Sequence, residues 1–519
     1  MNNPVIDNLL MDPRGSTVQI QDNYYEFNIT LTNSDGDVVG IRHGAIKDFV
    51  FTEDLRFFYN YGYLIFDNTL DVLESTESIS TDFDGTPQKA FSPFNFRNDG
   101  RDFLSVSITP QVMYENDSVG DTSTRKKKPF SLKGVFTIYD TEDIIIQDNK
   151  NTKLKKLYFR DVAYQLLKEK DSYFSTGRLK KGISNTDRSI LTGEALRALL
   201  QQSLQSETKI NQVFSENWDL GSQKIFYSSP PNNKVIDDIQ YLLKFHVSDE
   251  QNNYCPAILR HDRNGKWTFA PLKQIQNGSY YKGTPQLGDL GGTGLIENFI
   301  IVRPNAGEPS PLGNPSRIPG VSPFANSFAD YSYAENFQTS NMNVDDMQGG
   351  MLTTVAHNYD FGAGQFNMDM AENSIEAINK TGSNMFVQNQ KGIGNKAPST
   401  NLTTNLMRTQ NRNVRHEYSV STNPQQRFNV SRNQSMLLQF FNNQTVSFTA
   451  RGKTDRTVGK FVTFSRTDNA NENKFDNHLL GSYCIVKIDH SFVNNQYINE
   501  IVAVKNYDSA NNNYSANVV

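Results

Sequence analysis

Histidine, cysteine and paired carboxylates supply most protein chemistry, and in this chain they are few and scattered. The seven histidines, among them His43, His357, His416 and His478, form no HxxxH pair and no HExxH motif, and they do not cluster with carboxylates as a metal site would require. The run Leu287-Gly288-Asp289-Leu290-Gly291-Gly292-Thr293-Gly294 is glycine-rich. It lacks the Lys-Ser/Thr pair that contacts phosphates and leads into a strand, not a helix N-terminus, so it reads as a domain joint. No GxSxG nucleophile elbow occurs. Acid pairs such as Glu142-Asp143 could serve glycoside hydrolysis only at a defined separation, which a sequence does not supply. This inventory predicts no catalytic residue, no cofactor and no metal.

Composition narrows the class further. The 519 residues are too many for one compact core and suggest three or four units. With 37% apolar and 21% charged residues the chain is globular but polar. A net charge of −5 and a pI of about 5.9 argue against gripping nucleic acid as its main task, because phosphate binding needs concentrated positive charge. Cys255 and Cys484 lie far apart, which leaves no disulfide framework, and both are expected to be buried as small apolar residues. No apolar run approaches the roughly 18 residues that span a bilayer, and the opening MNNPVIDNLLMDPRG lacks the pattern of a signal peptide. A protein that stays soluble in the cytoplasm where it is made is the expectation.

The elements that could position any site follow from periodicity. Residues 445–505 carry the most regular period-2 pattern, ending in GSYCIVKIDHSF and QYINEIVAVKN around Val493-Asn494-Asn495, which predicts a hairpin. Upstream, Met436, Leu437, Phe440 and Phe441 share one face of a short helix. The first unit, 1–177, reads as repeated short strands. Tyr25, Phe27, Ile29 and Leu31 alternate before the turn pair Asp35-Gly36, and the basic run Arg125 to Lys128 falls in a loop, either solvated or touching an acidic partner. Residues 178–285 read as a small α/β unit. Thr192 is expected to cap a helix bearing Leu196, Leu199, Leu200 and Leu204, Asn233 to cap a second whose stripe ends at His246, and Asn264-Gly265 to turn a hairpin between Leu259 and Trp267. His246 is read as a core-edge residue and not a ligand. Strand character returns at 286–303. Residues 304–423 are then rich in Pro, Gly and Asn, which predicts an irregular insertion, disordered or ordered against a partner. Residues 424–519 complete the last sheet.

This order of pieces resembles the baseplate hub subunit of T-even-like contractile-tailed bacteriophages, the tail hub and late-control family. The likeness is carried by NYGYLIFDN at 60–68, DFLSVSI at 102–108, GVFTIYDTEDI at 134–144 with KLKKLYFRDVAYQLLKEK at 153–170, GEALRALLQQSL at 193–204, KVIDDIQYLLKFHVSD at 234–249, and LLGSYCIVKIDHSFVNNQYINEIVAVKN at 479–506. The later part of 153–170 stays open between strand and helix. The resemblance implies an α+β, mainly β fold with two tail-tube-like β-barrel domains, a small α/β domain and a long irregular insertion. It implies a structural, non-enzymatic virion protein of the tail baseplate, a homotrimeric ring adapting a sixfold tail tube to a threefold spike and lining the DNA channel. The implied partners are its own copies, the spike, the tail tube protein, the tape-measure C-terminus and, through the insertion, other baseplate proteins, with DNA only in transit and no membrane anchoring. Phe492, Val493 and Tyr497 are the expected interface residues, the alternative being that they cap the chain's own barrel. A tail-associated cell-wall hydrolase and a receptor-binding tail protein are the competing readings.

Overall fold

The computed structural model describes residues 16–20, 23–34, 36, 38–41, 43–68, 76–81, 87–92, 96–97, 100–111, 131–145, 153–179, 189–205, 213–222, 224–225, 227–249, 255–263, 265–276, 296–301, 332–340, 353–360, 365–371, 400–407, 437, 440–441, 445–466, 483–493 and 496–505. The basic run 125–128, the glycine-rich run 287–294, Asn494-Asn495, His416 and His478 lie outside them.

The fold is mainly β. In the N-terminal part β1 (Ser16–Ile20), β2 (Asn23–Thr32), β3 (Val38–Ile41), β4 (Ile46–Asp54) and β5 (Tyr61–Asp67) are followed by a separate hairpin, β6 (Thr76–Thr81) with β7 (Pro87–Ser92). Then come β8 (Phe103–Gln111), β9 (Leu132–Ile145) and β10 (Lys153–Asp161). The main sheet runs β2-β8-β9-β10-β5-β4 through antiparallel ladders alone, with β1 and β3 on β2. Gly36, at φ 93°, makes the turn between β2 and β3, a backbone state that glycine tolerates without strain. Alternate residues point inward, and Phe27, Leu31, Phe49, Leu64, Phe66 and Phe159 form one core.

Strand character ends at Asp161, whose carboxylate accepts from the Ala163 N–H at 2.7 Å and starts α1 (Val162–Glu169). The run 153–170 is thus strand and then helix. Ala163, Leu167 and Phe174, which the sequence reading groups with the first unit, pack into the next core. That next unit continues with α2 (Thr176–Leu179), β11 (Ile190–Leu191), α3 (Thr192–Leu204), β12 (Val213–Phe214), β13 (Lys224–Ile225), α4 (Val235–Lys244), β14 (Ala257–His261), β15 (Lys266–Pro271) and α5 (Leu272–Gln276). Two expected caps differ. Thr192 is the first helical residue and its hydroxyl bonds His246, while α4 is started by Lys234, whose backbone N–H donates to Asp237, and Asn233 instead donates to Asp238. Leu196, Leu199 and Leu200 of α3 meet Ile239 and Leu242 of α4, with Trp267 and Phe269 from the hairpin completing the core. Gly265, at φ 76°, turns that hairpin.

The second barrel is built from β16 (Ile296–Ile301), β17 (Ser332–Ser340), β21 (Thr445–Arg451), β22 (Phe461–Arg466), β23 (Tyr483–Val493) and β24 (Gln496–Lys505), with β18 (Thr353–Asp360), β19 (Gln365–Ala371) and β20 (Thr400–Met407) forming a sheet apart. The order β23-β22-β16-β17-β21-β24 closes because β24 pairs back onto β23. Here β16 lies parallel to both β17 and β22, whereas the N-terminal strands pair antiparallel throughout. Residues 332–340, expected within the irregular insertion, are therefore a barrel strand. A bulge between Glu335 and Gln338 and a positive φ at Asn336 break the alternation that would have marked it. Leu437, Phe440 and Phe441 are helical as expected, and Phe440 is buried in this barrel's core. Cys255 and Cys484 are buried thiols, pushed by burial to about 11 and about 12.

Candidate functional site: a buried charged junction

The two barrels are not separate beads. Along Lys487–Val493, β23 pairs antiparallel with β4, while its first residues pair with β22 and its whole length pairs with β24. The base of the β23–β24 hairpin, with Cys484, Ile485, Ile501 and Val504, lies in the second core; its tip, Phe492 and Tyr497, lies in the first. Those two rings stack at 4.0 Å and meet Phe27 and Tyr25 of β2 edge-on at 5.0 and 5.6 Å. The structure therefore places Phe492 and Tyr497 inside the chain's own first barrel, at 5% and 1% exposure, with Val493 half-buried beside them. Both rings are covered by residues of the same chain.

A charged cluster sits where this hairpin, β4 and the α/β unit converge. Glu53 continues the inward row of Phe49 and Phe51 and is fully buried. The Arg260 guanidinium of β14 donates to its Oε2 at 2.6 Å, Arg263 lies 3.6 Å from Oε1, the Thr457 hydroxyl donates to it, and the Val458 N–H lies at 3.5 Å. Arg263 also donates to the Thr454 and Arg456 carbonyls at 2.5 and 3.3 Å. Residues 454–458, expected in part as strand, are thus a loop that wraps the carboxylate before β22 begins at Phe461. Three units meet on one carboxylate.

Electrostatics follow from this geometry. Burial alone would raise Glu53, but Arg263 and Arg260, with help from His490 and the Thr457 hydroxyl, reverse that and hold it at about 2. His490, on the same face two residues from the position opposite Glu53, is pushed by burial down to about 3, with Arg263 and Arg456 opposing the upward pull of Glu53. It is neutral: its Nδ1 accepts from the Tyr497 hydroxyl at 2.7 Å and the Asn499 amide at 2.9 Å, and Arg456 donates to Asn499 Oδ1 at 2.9 Å. On the other face of β14, His261 Nδ1 lies 2.5 Å from Asp161 Oδ2 and its ring stacks on Trp267. Burial lowers His261, but Asp161 outweighs it and the net shift is upward.

These shifts predict how stability depends on pH. Glu53 and His490 both hold fewer protons folded than unfolded, so their contributions are complete above about 6.5 and are lost on acidification, that of His490 from 6.5 downward and that of Glu53 between 4.5 and about 2. His261, being raised, contributes below 6.5 and loses that contribution as pH climbs through its folded value. The urea midpoint of the protein is expected to fall steadily from pH 6.5 to pH 3, and Glu53→Gln to flatten the limb below pH 4.5 only.

A hydroxyl–imidazole–carboxylate chain also occurs in the α/β unit. Thr192 Oγ1 lies 2.9 Å from His246 Nδ1, and His246 Nε2 lies 3.0 Å from Asp219 Oδ2, which also accepts from the Ser248 hydroxyl at 2.5 Å. Burial raises Asp219, and the His246 and Ser248 bonds more than offset it. The residue types match a nucleophilic relay, but Thr192 is 1% exposed and a Cβ at the adjacent Gly193 would lie 2.0 Å from the Asp219 carbonyl oxygen, so the hydroxyl is sealed in packed protein. The chain ties α3, the 219–222 loop and the end of α4 together. Thr192→Val is expected to cost about 1–3 kcal/mol in denaturant titration, with Thr192→Ser near wild type. Among the described residues no three His, Cys, Asp or Glu side chains are grouped to hold a metal.

Sequence reasoning missed Glu53, Arg260 and Arg263. The available signal was a carboxylate prolonging an inward aromatic row and arginine within a strand that is buried at every position.

No protein family and no curated protein matches the sequence. Among solved structures, the chain is similar to a tail protein from Neisseria meningitidis MC58 at 8% identity, covering 93% of this chain and 97% of that one with a TM-score of 0.45. The 43 kDa tail protein of prophage MuSo2 from Shewanella oneidensis matches at 10% identity over 93% and 99% of the two chains, with a TM-score of 0.44. Prophage tail protein gp18 from Listeria monocytogenes EGD-e matches at 10% over 93% and 96%, with a TM-score of 0.39.

Proposed function

We propose that this chain is a structural subunit of a phage tail, a baseplate hub in which three copies close into a ring. The observation that supports this reading most is the β23–β24 hairpin built into both barrels. It joins the N-terminal sheet to the closed C-terminal barrel in one unit, and three such units would place six sheet domains around a threefold axis. That geometry adapts a sixfold tail tube to a threefold spike and surrounds a channel through which DNA passes. The buried junction at Glu53 serves the same end, because it locks the α/β unit against both barrels so that load on one is transmitted to the others. The contribution is shape and stiffness, with the spike, the tube protein and the tape-measure C-terminus as neighbours. Sedimentation and negative-stain imaging of the purified protein test this: rings of threefold mass, alone or with the spike, are expected, and a monomer that forms no ring under either condition overturns it.

A further inference from the structure

The outer face of the N-terminal sheet is aromatic where β9, β10 and β5 lie side by side. Along β5 the outward positions include Tyr61 and Tyr63, and the antiparallel register sets Arg160 and Tyr158 of β10 directly opposite them. On the far side of β10 the ladder to β9 slips by one residue between Tyr158 and Phe159, so Tyr139 falls between the paired positions Ile138 and Asp140. Such a bulge re-aims a side chain. Ile138 stays in the core, while Tyr139 stands 40% exposed beside Tyr158, with ring centroids 6.3 Å apart. The turn after β4 and the start of α1 prolong this surface: Phe57, 42% exposed, leads through Tyr59 to Tyr164 at 5.7 and 3.7 Å.

The solvated face of an antiparallel sheet is ordinarily polar, so a row of partly exposed rings on it is a set of stacking surfaces. Cations hold the rings at fixed spacing. The Lys156 ammonium lies 4.5 Å from the centroids of both Tyr63 and Tyr158, and the Arg160 guanidinium 4.5 and 5.2 Å from those of Tyr139 and Tyr164. Carboxylates balance these charges. The Tyr63 hydroxyl donates to Asp48 at 2.9 Å, the Tyr158 hydroxyl to Glu142 at 3.3 Å, and Lys155 pairs with Asp143 at 3.0 Å. A stacking platform for nucleic acid combines rings with a positive groove, and here Lys155, Lys156 and Arg160 are offset by Asp48, Glu142 and Asp143. The complement of such a face is an uncharged molecule with flat C–H faces and hydroxyls around its edge. We propose that this face binds a neutral polysaccharide of β-1,4-linked hexopyranose units. The C–H bonds of each sugar face would meet the negative faces of the tyrosines, and its hydroxyls the ions between them. Because the strand-borne rings share one side of a sheet, they suit a ribbon whose sugar faces are coplanar over a coiled α-linked chain. The inference goes beyond the tail reading above and does not depend on it.

The test is isothermal titration calorimetry on the full chain with cellohexaose and chitohexaose, and with maltohexaose and an oligothymidylate as rival probes. At least one β-linked hexamer is expected to bind, and Tyr139→Ala and Tyr158→Ala each to weaken it about tenfold, the order of one stacking contact. Tyr173→Ala, which removes a ring 78% exposed in the α/β unit, is expected to bind as wild type does. Circular dichroism verifies that each variant is folded, and sedimentation of the same samples reads the ring separately. Failure of both β-linked hexamers to bind at millimolar concentration overturns the inference, as does binding that both platform variants leave unchanged. Equal binding of maltohexaose overturns it by showing that a coplanar ribbon is not what the face selects. Binding of the oligothymidylate in place of the sugars overturns it in favour of a nucleic-acid platform.

Discussion

Glu53→Ala is expected to destabilise the protein by about 3–5 kcal/mol, the cost of breaking a buried ion pair and leaving its partner behind. The loss comes less from the attraction removed than from Arg260 and Arg263, which remain fixed in the interior by their other contacts with the 454–458 loop. Two controls separate these causes. Arg260→Met in the Glu53→Ala background is expected to recover part of the loss, giving a coupling energy well above the scatter of independent sites. Breaking the Lys234–Asp171 pair, whose side chains are 43% and 54% exposed, is expected to change stability by no more than about 1 kcal/mol. Denaturant titration measures all three. Equal effects at the junction and at the exposed pair would show that the carboxylate does not join the units.

Tyr497→Ala is expected to cost about 3–5 kcal/mol, and Phe492→Ala a similar amount, because each removes a buried ring from a packed core. Their rings stack on each other, so the double variant is expected to cost less than the two single losses together. The place where the damage appears matters more than its size. Both residues lie in the final hairpin, yet their partners Tyr25, Phe27 and Phe49 belong to β2 and β4, so amide exchange is expected to quicken in the N-terminal barrel. Exchange that quickens only in β21 and β22 would contradict a shared hairpin.

Much of this architecture can be read from alternation. The inward rows of β2, β5 and β24 and the leucine stripe of α3 follow from period 2 and period 3.6, and those elements sit where the residues predict. Three things could not be read in that way. β17 hides because its bulge shifts the alternation by a residue at Asn336, where the turn-like composition of the surrounding stretch argues against any strand. The caps at Thr192 and Asn233 were assigned by residue type, but a hydroxyl or amide with a stronger buried partner nearby leaves the helix end to the backbone. The junction is invisible because Glu53, Arg260 and Thr457 are brought together only by tertiary pairing across more than 200 residues of chain. Local periodicity reports which face is inside; it does not report which charges find one another there.

The ladder between β4 and β23 has a consequence for how the molecule comes into being. Thr52 and Asp489, hydrogen-bonded at 2.6 Å, are 437 positions apart, so β4 must wait as an open edge while most of the polypeptide is synthesised. An open edge of that kind recruits stray strands, and the aromatic interior behind it stays wet until the last hairpin arrives. Nascent chains arrested before residue 483 should therefore be aggregation-prone and dependent on chaperones, and maturation of the N-terminal half should be gated by the synthesis of β23.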